Sequence, residues 1–244
     1  MIGVVLAAGA GRRLLPLTAA LPKTLLPVAE DLTILDIALA NLRAVGIDDV
    51  AIVTGFAADR VRALRPTLQR RHGVRLELVY NERAEEWNNA YSLWLARDAL
   101  AEGALLVNGD TVHPVSIEEG LLEHRGRGVV LAVDREKPLG SEEMKVSLSE
   151  DGALRRIGKE IASTEAQGEY MGVTLIDPGA AAPLADALEA TWRRDPSLYY
   201  EDGYQELADR GGRVAAADIG TVRWIEVDDH RDLARARELM ACPS

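Results

Sequence analysis

The apolar and polar positions in the first half of the chain form short apolar runs that alternate with segments of helical spacing. The apolar runs predict strands at residues 3–7, 50–54, 75–80 and 104–107. The segments between them predict helices at residues 33–45, 60–75 and 89–100. The first of these helices begins with a capping box formed by Thr33 and Asp36 and ends before Gly46. Strands that alternate with helices are typical of a mainly parallel sheet covered by helices.

The second half of the chain has a different order of elements. Strands are predicted at residues 128–133, 144–148 and 170–176 with little helix between them, and again at residues 213–217 and 223–227. Helices are predicted at residues 183–193, 200–210 and 231–239. Because no linker, low-complexity segment or internal repeat interrupts the chain, we expect residues 1–244 to form one α/β domain with a mixed, mainly parallel central sheet.

Composition and charge limit the classes of function. The 244 residues are 48% hydrophobic and 27% charged, as in ordinary soluble globular proteins, and no apolar run is long enough to cross a bilayer. The net charge of -11 argues against nucleic acid as a partner, because binding a phosphate backbone needs a basic surface. Met1 leads directly into an apolar strand without a signal peptide, and the single cysteine, Cys242, can form no internal disulfide. We therefore expect a cytoplasmic protein that binds neither nucleic acid nor membranes.

The stretch LAAGAGRRLLPLTAALPKTLLPV, which contains the end of the first predicted strand, carries the most specific signal. Gly9 and Gly11 allow the backbone to approach phosphate groups at the carboxyl end of a strand, and Arg13 and Lys23 add two cations. The stretch lacks the third glycine of a dinucleotide fingerprint and the terminal Gly-Lys-Ser/Thr of a P-loop. A glycine turn followed by two cations suits the phosphates of one nucleoside triphosphate.

This stretch resembles the signature loop of the sugar-phosphate nucleotidyltransferases, in Gly9-x-Gly11-x-Arg13 and in the following Pro22-Lys23. Members of this superfamily join a nucleoside triphosphate to a phosphorylated small molecule and release pyrophosphate. The resemblance covers nearly the whole chain and implies a Rossmann-like, GT-A-like nucleotidyltransferase fold, in which residues 1–110 bind the nucleotide and residues 111–244 bind the acceptor. It implies two catalytic residues, with Lys23 on the α-phosphate and the transition state and Arg13 on the β- and γ-phosphates. The other nucleotide-binding residues implied in this stretch are Leu6, Ala7, Ala8, Gly9 and Gly11.

The segment NERAEEWNNAYSLWLARDAL, residues 81–100, resembles a narrower branch, the phosphocholine, phosphonate and inositol-1-phosphate cytidylyltransferases. In that branch a strand that ends in Asn is followed by an Asn-Asn-x-Tyr-Ser segment at the start of a helix. The resemblance implies that CTP is the nucleotide and that Asn81, Asn88, Asn89 and Ser92 contact it. Alternatively, Asn88 or Asn89 serves only as the N-cap of the helix.

Two carboxylates are candidates for a metal site. Asp110 follows a buried strand, where a carboxylate is costly unless it meets a cation. The segment VRWIEVDDHRDLARA resembles the superfamily's W-x-E-[IV]-D segment, which implies that Asp228 is the second ligand of a Mg2+ cofactor. Glu226 and Asp229 are alternatives to Asp228 or additional ligands, and Asp229 can instead cap the last helix.

The acceptor side comes from the second half of the chain. The segments EEMKVSLSEDGALRRIGKEI and GEYMGVTLID resemble the acceptor-side strands of the same branch, which implies that Lys145 meets the acceptor phosphate and that Glu169 and Tyr170 line the pocket. The segment SLYYEDGYQEL adds the acceptor-binding candidates Tyr200, Glu201 and Asp202. Aromatic faces with carboxylates suit a cationic head group, and carboxylates suit the hydroxyl groups of a polyol equally well. The same segment also fits an amphipathic helix whose tyrosines pack inward.

Three functions are consistent with these residues. The first is a Mg2+-dependent cytidylyltransferase that joins CMP to phosphocholine, a 2-aminoethylphosphonate-like compound or inositol phosphate, and the Asn-Asn-Ala-Tyr-Ser segment favours it. The second is a hexose-1-phosphate nucleotidylyltransferase that uses UTP, dTTP or GTP. The third is a regulatory subunit without catalysis, which we expect to have lost Lys23 or a metal acid, whereas this chain retains them. A homodimer is compatible with each of these functions.

Overall fold

The computed structural model describes residues 1–241, so that Cys242 lies outside the described residues. The strands of this part are β1 Ile2–Ala7, β2 Asp49–Thr54, β3 Arg75–Tyr80, β4 Ala104–Asn108, β5 Thr111–Val112, β6 Val129–Asp134, β7 Lys145–Leu148, β8 Leu154–Gly158, β9 Gly168–Ile176, β10 Val214–Asp218 and β11 Ile225–Glu226. Its α-helices are α1 Ile34–Ala44, α2 Ala58–His72, α3 Asn89–Leu95, α4 Arg97–Leu100, α5 Ser116–Leu122, α6 Pro178–Arg194, α7 Tyr200–Asp209 and α8 His230–Ala241. Among these helices, none combines the length and the apolar character needed to span a membrane.

Nine of the strands form one sheet, with a central path in the order β10-β6-β9-β4-β1-β2-β3. The neighbours β4, β1, β2 and β3 run parallel, as do β10 and β6, whereas β9 runs antiparallel between β6 and β4. β7 pairs with β9 and β8 pairs with β7, while β5 and β11 form a separate antiparallel pair. The predicted α/β fold with a mixed, mainly parallel central sheet is therefore confirmed.

The central sheet is buried on both faces because helices cover both sides. α1, α2 and α5 contribute apolar side chains to the core on one face, and α3, α4, α6 and α7 contribute to the core on the other. In β1 the alternation of side chains sends Val4 and Val5, both fully buried, into opposite cores. A third apolar cluster joins α8 to α1 and to the stretch after β1 through Leu233, Ile34 and Leu14. This cluster packs the C-terminal helix beside the glycine-containing stretch.

Each strand and helix predicted from the sequence is present, although several bounds differ. The predicted helix at residues 89–100 is interrupted at Ala96, whose ψ of 6° departs from helical geometry, and it forms α3 and α4. α6 begins before the predicted residue 183, because Pro178 occupies a first-turn position that favours proline. The sequence pattern does not predict β5, β8 or α5. β5 has two residues, β8 buries only Leu154 and Ile157, and α5 is short and has no side-chain cap.

Candidate active site

A cleft of about 1010 Å³ opens where β1, β4 and β6 end and where the antiparallel strand β9 begins. Its walls include residues from both halves of the chain, such as Gly9, Asn108, Asp110, Glu169 and Asp228. In open α/β sheets, ligands bind at the edge where the parallel strands end together. The cleft is therefore the candidate active site.

The glycine-containing stretch turns sharply after β1. Gly11 has a φ of 58°, a left-handed conformation that favours glycine, and it precedes the 3-10 turn Arg12–Leu14. Thr18 Oγ1 donates a hydrogen bond to Gly11 O at 2.8 Å, which ties the returning chain to this turn. A second 3-10 turn, Lys23–Leu25, then places the Lys23 side chain within reach of the same carboxylate that Arg13 contacts.

Lys23 bridges two carboxylates that come from distant parts of the chain. Its Nζ lies 2.8 Å from Asp110 Oδ2 and 2.8 Å from Asp228 Oδ1, and Arg13 Nη1 donates to Asp228 Oδ2 at 3.3 Å. Burial by itself lowers the pKa of Lys23, but the two carboxylates outweigh burial and raise that pKa above the ordinary lysine value. Burial by itself raises the pKa of Asp228, but the charges of Lys23 and Arg13 outweigh burial. The pKa of Asp228 therefore lies below the ordinary aspartate value. Both shifts favour the charged forms of Lys23 and Asp228 at neutral pH.

The separate β5–β11 pair brings the carboxylates together. Asp110 immediately precedes β5, and Glu226 at the end of β11 is paired with Thr111. Val227 N donates to Asp110 O at 2.8 Å, which brings the following residue, Asp228, to the same place. As a result Asp110, Glu226 and Asp228 each have a carboxylate oxygen within 4.8 Å of the others.

These three carboxylates fit a hard divalent cation. Asp110 Oδ1 is buried and has no hydrogen-bond partner among residues 1–241, so it is available as a ligand. Glu226 is an exposed residue overall, and its carboxyl group lies beside those of Asp110 and Asp228 in the cleft. Desolvation by the surrounding protein, together with the charges of Asp110 and Asp228, raises the pKa of Glu226 to about 8. Mg2+ prefers oxygen ligands of this kind, and its charge would offset the repulsion among the carboxylates.

Asp229 has a different role from its neighbour Asp228. Asp229 Oδ1 accepts hydrogen bonds from the backbone N–H groups of Arg231 at 2.7 Å and Asp232 at 3.0 Å, at the start of α8. Asp232 Oδ2 in turn accepts from the backbone N–H groups of Asp228 and Asp229, both at 3.2 Å. Asp229 thus takes the helix-capping role that the sequence offered as its alternative.

The asparagines of the predicted cytidylyltransferase segment are hydrogen-bonded within the protein. Asn81 is buried, and its Nδ2 donates to Ser92 Oγ at 2.8 Å. Asn88 is the N-cap of α3, where it accepts from Asn89 N at 2.8 Å, and Asn89 Oδ1 accepts from Tyr200 N at 2.9 Å. Among these side chains, Asn89 connects the start of α3 to the start of α7. The predicted nucleotide-binding residues that line the cleft are Leu6, Ala8, Gly9, Arg13, Asn88, Asn89 and Ser92, and those outside its lining are Ala7, Gly11, Lys23 and Asn81.

Three acceptor-binding candidates, Lys145, Tyr200 and Asp202, lie outside the cleft lining. Lys145 is buried, and its Nζ donates to two backbone carbonyls at 3.0 and 3.3 Å. Tyr200 is fully buried, and its hydroxyl donates to Asn108 Oδ1 at 2.9 Å. Asp202 accepts the N–H of the residue before α7 at 2.8 Å, which stabilises the start of that helix. Each polar group is thus used within the protein, and the tyrosine packs inward.

The other predicted acceptor residues, Glu169, Tyr170 and Glu201, do line the cleft. Glu169 Oε2 lies 2.8 Å from Lys137 Nζ, and burial raises the pKa of this carboxyl group. Glu201 is only 6% exposed, and its Oε2 has no hydrogen-bond partner within residues 1–241. Burial raises the pKa of Glu201 to about 8. The Tyr170 hydroxyl is hydrogen-bonded to a buried threonine at 2.7 Å, so the cleft meets mainly its ring.

The cleft is also lined by three residues that were not predicted from the sequence, Lys137, Lys159 and Trp224. Lys137 lies in the loop after β6, Lys159 follows β8, and Trp224 precedes β11. Trp224 belongs to the W-x-E-V-D segment, a signal that could have identified it. The two lysines lie in strongly charged segments that look like solvated loops, which leaves no comparable signal for them.

Comparisons with known proteins agree with this geometry. A model of the nucleotidyl transferase family matches residues 2–138. The bifunctional IPC transferase and DIPP synthase of Aquifex aeolicus is 29% identical over 243 residues, which are 97% of this chain and 51% of that protein. The CMP-5'-(3-aminopropyl)phosphonate synthase of Streptomyces rubellomurinus is 30% identical over 241 residues, which are 96% of this chain and 38% of that protein. The chain thus spans about half the length of these curated relatives, or less.

Relatives of this chain come from the IPC, phosphonate and phosphocholine cytidylyltransferase branch and also from the sugar-phosphate nucleotidyltransferases. Among solved structures, the inositol-1-phosphate CTP transferase from T. maritima superposes with a TM-score of 0.84. The two proteins are 24% identical, and the match covers 98% of this chain and 94% of that chain. The expected Rossmann-like nucleotidyltransferase fold is confirmed by this likeness.

Proposed function

The chain belongs to the nucleotidyl transferase family, and on this premise we propose that it is a CTP-dependent cytidylyltransferase. It transfers CMP to a small phosphoalcohol or phosphonate and releases pyrophosphate. The observation that carries the proposal is the cluster in which Lys23 Nζ lies 2.8 Å from both Asp110 and Asp228, with Arg13 beside them. Cations and metal-binding carboxylates at the end of a parallel sheet are what a triphosphate with its metal ion requires.

Relatives and the segment around α3 support CTP as the nucleotide. One relative that matches 96% of this chain is named for a CMP-linked product. Asn88 and Asn89 hold the start of α3 in the cleft wall, but their side-chain oxygens already accept backbone hydrogen bonds. We therefore expect backbone groups near Ala8 and Ala84, which line the same wall, to contact the base. A hexose-1-phosphate nucleotidylyltransferase that uses UTP, dTTP or GTP is the alternative, because relatives include a thymidylyltransferase of that type.

The reaction depends on positioning and charge neutralisation. An oxygen of the acceptor phosphate or phosphonate attacks the α-phosphorus in line, the bond from this phosphorus to the β-phosphate oxygen breaks, and pyrophosphate leaves with that oxygen. The attacking oxygen is already anionic, so no proton has to be removed by a base. Lys23 neutralises the α-phosphate and the transition state, and Arg13 contacts the β- and γ-phosphates.

Asp110 and Asp228 would hold Mg2+ in this proposal, with Glu226 next to them. The ion would supply positive charge that neutralises and orients the phosphate groups. Lys23 contacts both aspartates in the structure. Its ammonium group has a third N–H that can donate to a phosphate oxygen, and it can also exchange one of these contacts when the nucleotide binds.

Lys159 takes, in this proposal, the contact with the acceptor phosphate that the sequence suggested for Lys145. It lines the cleft, whereas Lys145 is buried. Burial raises the pKa of Asp228, and Lys23, Arg13 and Lys159 lower it, so the Lys159 charge acts at the reaction centre. Residues 1–110 and 111–244 then form the nucleotide and acceptor halves of one domain. The cytoplasmic location and the homodimer stay predictions from the sequence.

The test is a matrix of CTP, UTP, dTTP, GTP and ATP against phosphoalcohols, phosphonates and hexose 1-phosphates, with pyrophosphate release as the readout. We expect release with CTP and a small phosphoalcohol or phosphonate. Lys23→Met, which removes the charge but keeps a chain of similar length, should lower the rate of release by about a hundredfold. Arg12→Met is the matched control, because Arg12 lies in the same stretch and its side chain is 75% exposed. Release with a hexose 1-phosphate and another nucleotide, or no release in any combination, would contradict the proposal.

A further inference from the structure

A cation of the chain itself already occupies an aromatic and acidic site in the acceptor pocket. Lys137 Nζ lies 4.9 Å from the centroid of the Trp224 ring and 2.8 Å from Glu169 Oε2. An aromatic face beside a carboxylate is the kind of site that binds alkylammonium groups. Because Lys137 supplies the positive charge, a cationic head group that entered this site would meet a like charge.

Hydrogen bonds to one buried carboxylate position both the ring and the lysine. Asp134, at the end of β6, accepts from Trp224 Nε1 at 2.7 Å and from the backbone N–H groups of Glu136 and Lys137 at 2.8 and 3.0 Å. The Glu169 side chain is only 5% exposed, and burial raises its pKa, so the nearby ammonium group stabilises its charged form. Removing Lys137 would therefore leave an aromatic face and a buried acid without their cation.

Two further groups of the pocket, Glu201 and Lys159, favour hydrogen bonding over the binding of a cation. Glu201 has its pKa raised to about 8 by burial, so its carboxyl group is largely neutral at pH 7. Lys159 Nζ lies 5.8 Å from the centroid of the Tyr199 ring, and this second aromatic ring of the pocket therefore also has a lysine beside it. The pocket thus contains ammonium donors together with carboxyl groups that accept or donate hydrogen bonds.

We propose that Lys137 is the specificity-determining residue of this pocket, excluding cationic head groups and donating hydrogen bonds to the hydroxyl groups of a polyol phosphate. The inference rests on the proposed function and names the class of its acceptor. An ammonium group has three N–H donors, so Lys137 can contact a ligand while it remains paired with Glu169. The hydroxyl groups of a polyol can in turn donate to Glu169 and Glu201. Lys159 does not discriminate, because it contacts the phosphate group that every acceptor carries.

The experiment compares myo-inositol 1-phosphate with phosphocholine as acceptors, measured as the ratio of their kcat/KM values. We expect the wild type to favour the inositol phosphate by at least about tenfold, and Lys137→Met to lower this ratio by about tenfold or more. The KM for CTP should stay unchanged in Lys137→Met. Lys159→Met should lower kcat/KM for both acceptors alike. Arg135→Met is the matched control, since Arg135 is a neighbouring cation that pairs with Asp218 and lies outside the cleft lining.

A wild-type preference for phosphocholine, or an unchanged ratio in Lys137→Met, would overturn the inference. If CTP gives no turnover, the proposed function is contradicted. The ratio of kcat/KM values for the two acceptors is then measured with another nucleotide that gives turnover, so the role of Lys137 is still tested. Isothermal titration calorimetry of each acceptor decides it when no nucleotide is turned over. Tighter binding of the inositol phosphate to the wild type, lost in Lys137→Met, supports the inference, and equal affinities contradict it.

Discussion

The two halves of the cleft are assembled from the chain in different ways. In the nucleotide half, Leu6, Ala8, Gly9 and Arg13 come from one short stretch. The acceptor half collects its side chains from separate segments in or beside β6, β8, β9, α7 and β11, and these side chains are Lys137, Lys159, Glu169, Glu201 and Trp224. A stretch that is local in sequence leaves a recognisable spacing of residues. A pocket collected from distant segments leaves weaker signals, because its contributing residues stand far apart in the sequence.

The charges of the two halves also differ. In the nucleotide half, Lys23 and Arg13 contact carboxylates at the reaction centre and can exchange these contacts for phosphate oxygens. In the acceptor half, Lys137 is paired with the buried Glu169, and its backbone N–H donates to the buried Asp134. We infer that substitutions in the nucleotide half chiefly change the rate, whereas substitutions in the acceptor half chiefly change which acceptor is used.

The largest effect is expected where the two halves meet, at the carboxylate cluster. Asp110→Asn and Asp228→Asn should each lower kcat by about a thousandfold or more, because each removes a charged ligand from the proposed metal site. Steady-state kinetics in Mg2+ and circular dichroism spectra measure the rate and the integrity of the fold. Asp229→Asn is the matched control, since Asp229 is adjacent in sequence but caps α8. Full activity of either cluster variant would disprove its role.

The next largest effect is expected in the nucleotide half and separates its two cations. Lys23→Ala should lower kcat by about a hundredfold, because its phosphate contact strengthens as charge shifts in the transition state. Arg13→Ala should in addition raise the KM for CTP, because its β- and γ-phosphate contacts already exist in the ground state. Both values come from initial rates at varied CTP concentration. If neither variant changes kcat or KM, the glycine-containing stretch has no part in the chemistry.

The nucleotide half of the cleft is more predictable from the sequence than the acceptor half. The turn at Gly11 and the cations Arg13 and Lys23 were predicted from the short stretch that contains them and from its resemblance to a signature loop, and the structure brings both cations to one carboxylate. Lys145 was expected in the pocket because its segment resembles acceptor-side strands of the cytidylyltransferase branch, but its side chain donates to the backbone carbonyls of Gly140 and Glu143. The direction of a single side chain depends on local β-strand register, and a one-residue change of register reverses it.

The fold was predictable for a similar reason. The strands around β1 have continuous apolar runs because helices bury both of their faces. β8 has the sequence LRRIG, and its two arginines are exposed. Its apolar residues are therefore too few to form a detectable strand pattern. Lys159 directly follows this undetected strand, which is why its place in the cleft could not be foreseen.

A smaller effect is expected from the acceptor half. Glu201→Gln should raise the acceptor KM by about tenfold, since it changes one buried hydrogen-bonding group that faces the pocket, and should leave the KM for CTP unchanged. Asp202→Asn is the matched control, because Asp202 is adjacent but stabilises the start of α7 outside the cleft lining. Initial rates at varied acceptor concentration separate the two variants. A rise in the KM for CTP alone would place Glu201 in the nucleotide half.

The smallest effect concerns a buried carboxylate in the nucleotide half that lies outside the cleft. Asp36 accepts hydrogen bonds from Thr33 N at 2.9 Å and Arg71 Nη1 at 3.1 Å, and its Oδ1 lies 2.7 Å from His72 Nε2. Burial raises the pKa of Asp36, but the contacts from His72, Thr33 and Arg71 outweigh burial and hold this pKa well below the ordinary value of 3.8. A lowered pKa in the folded state stabilises the protein at pH values above the ordinary value, and this stabilisation is lost as the pH falls from the ordinary value through the lowered pKa. Asp36→Asn should therefore lower the free energy of unfolding by about 1 kcal/mol at pH 7, with a difference from the wild type that shrinks below about pH 4. Urea unfolding at pH 7 and at a pH below about 4 measures the difference in the free energy of unfolding between the variant and the wild type. The kcat of the folded variant should stay unchanged. A loss of stability that is the same at both pH values would show that the charge of Asp36 is not what stabilises the contact between α1 and α2.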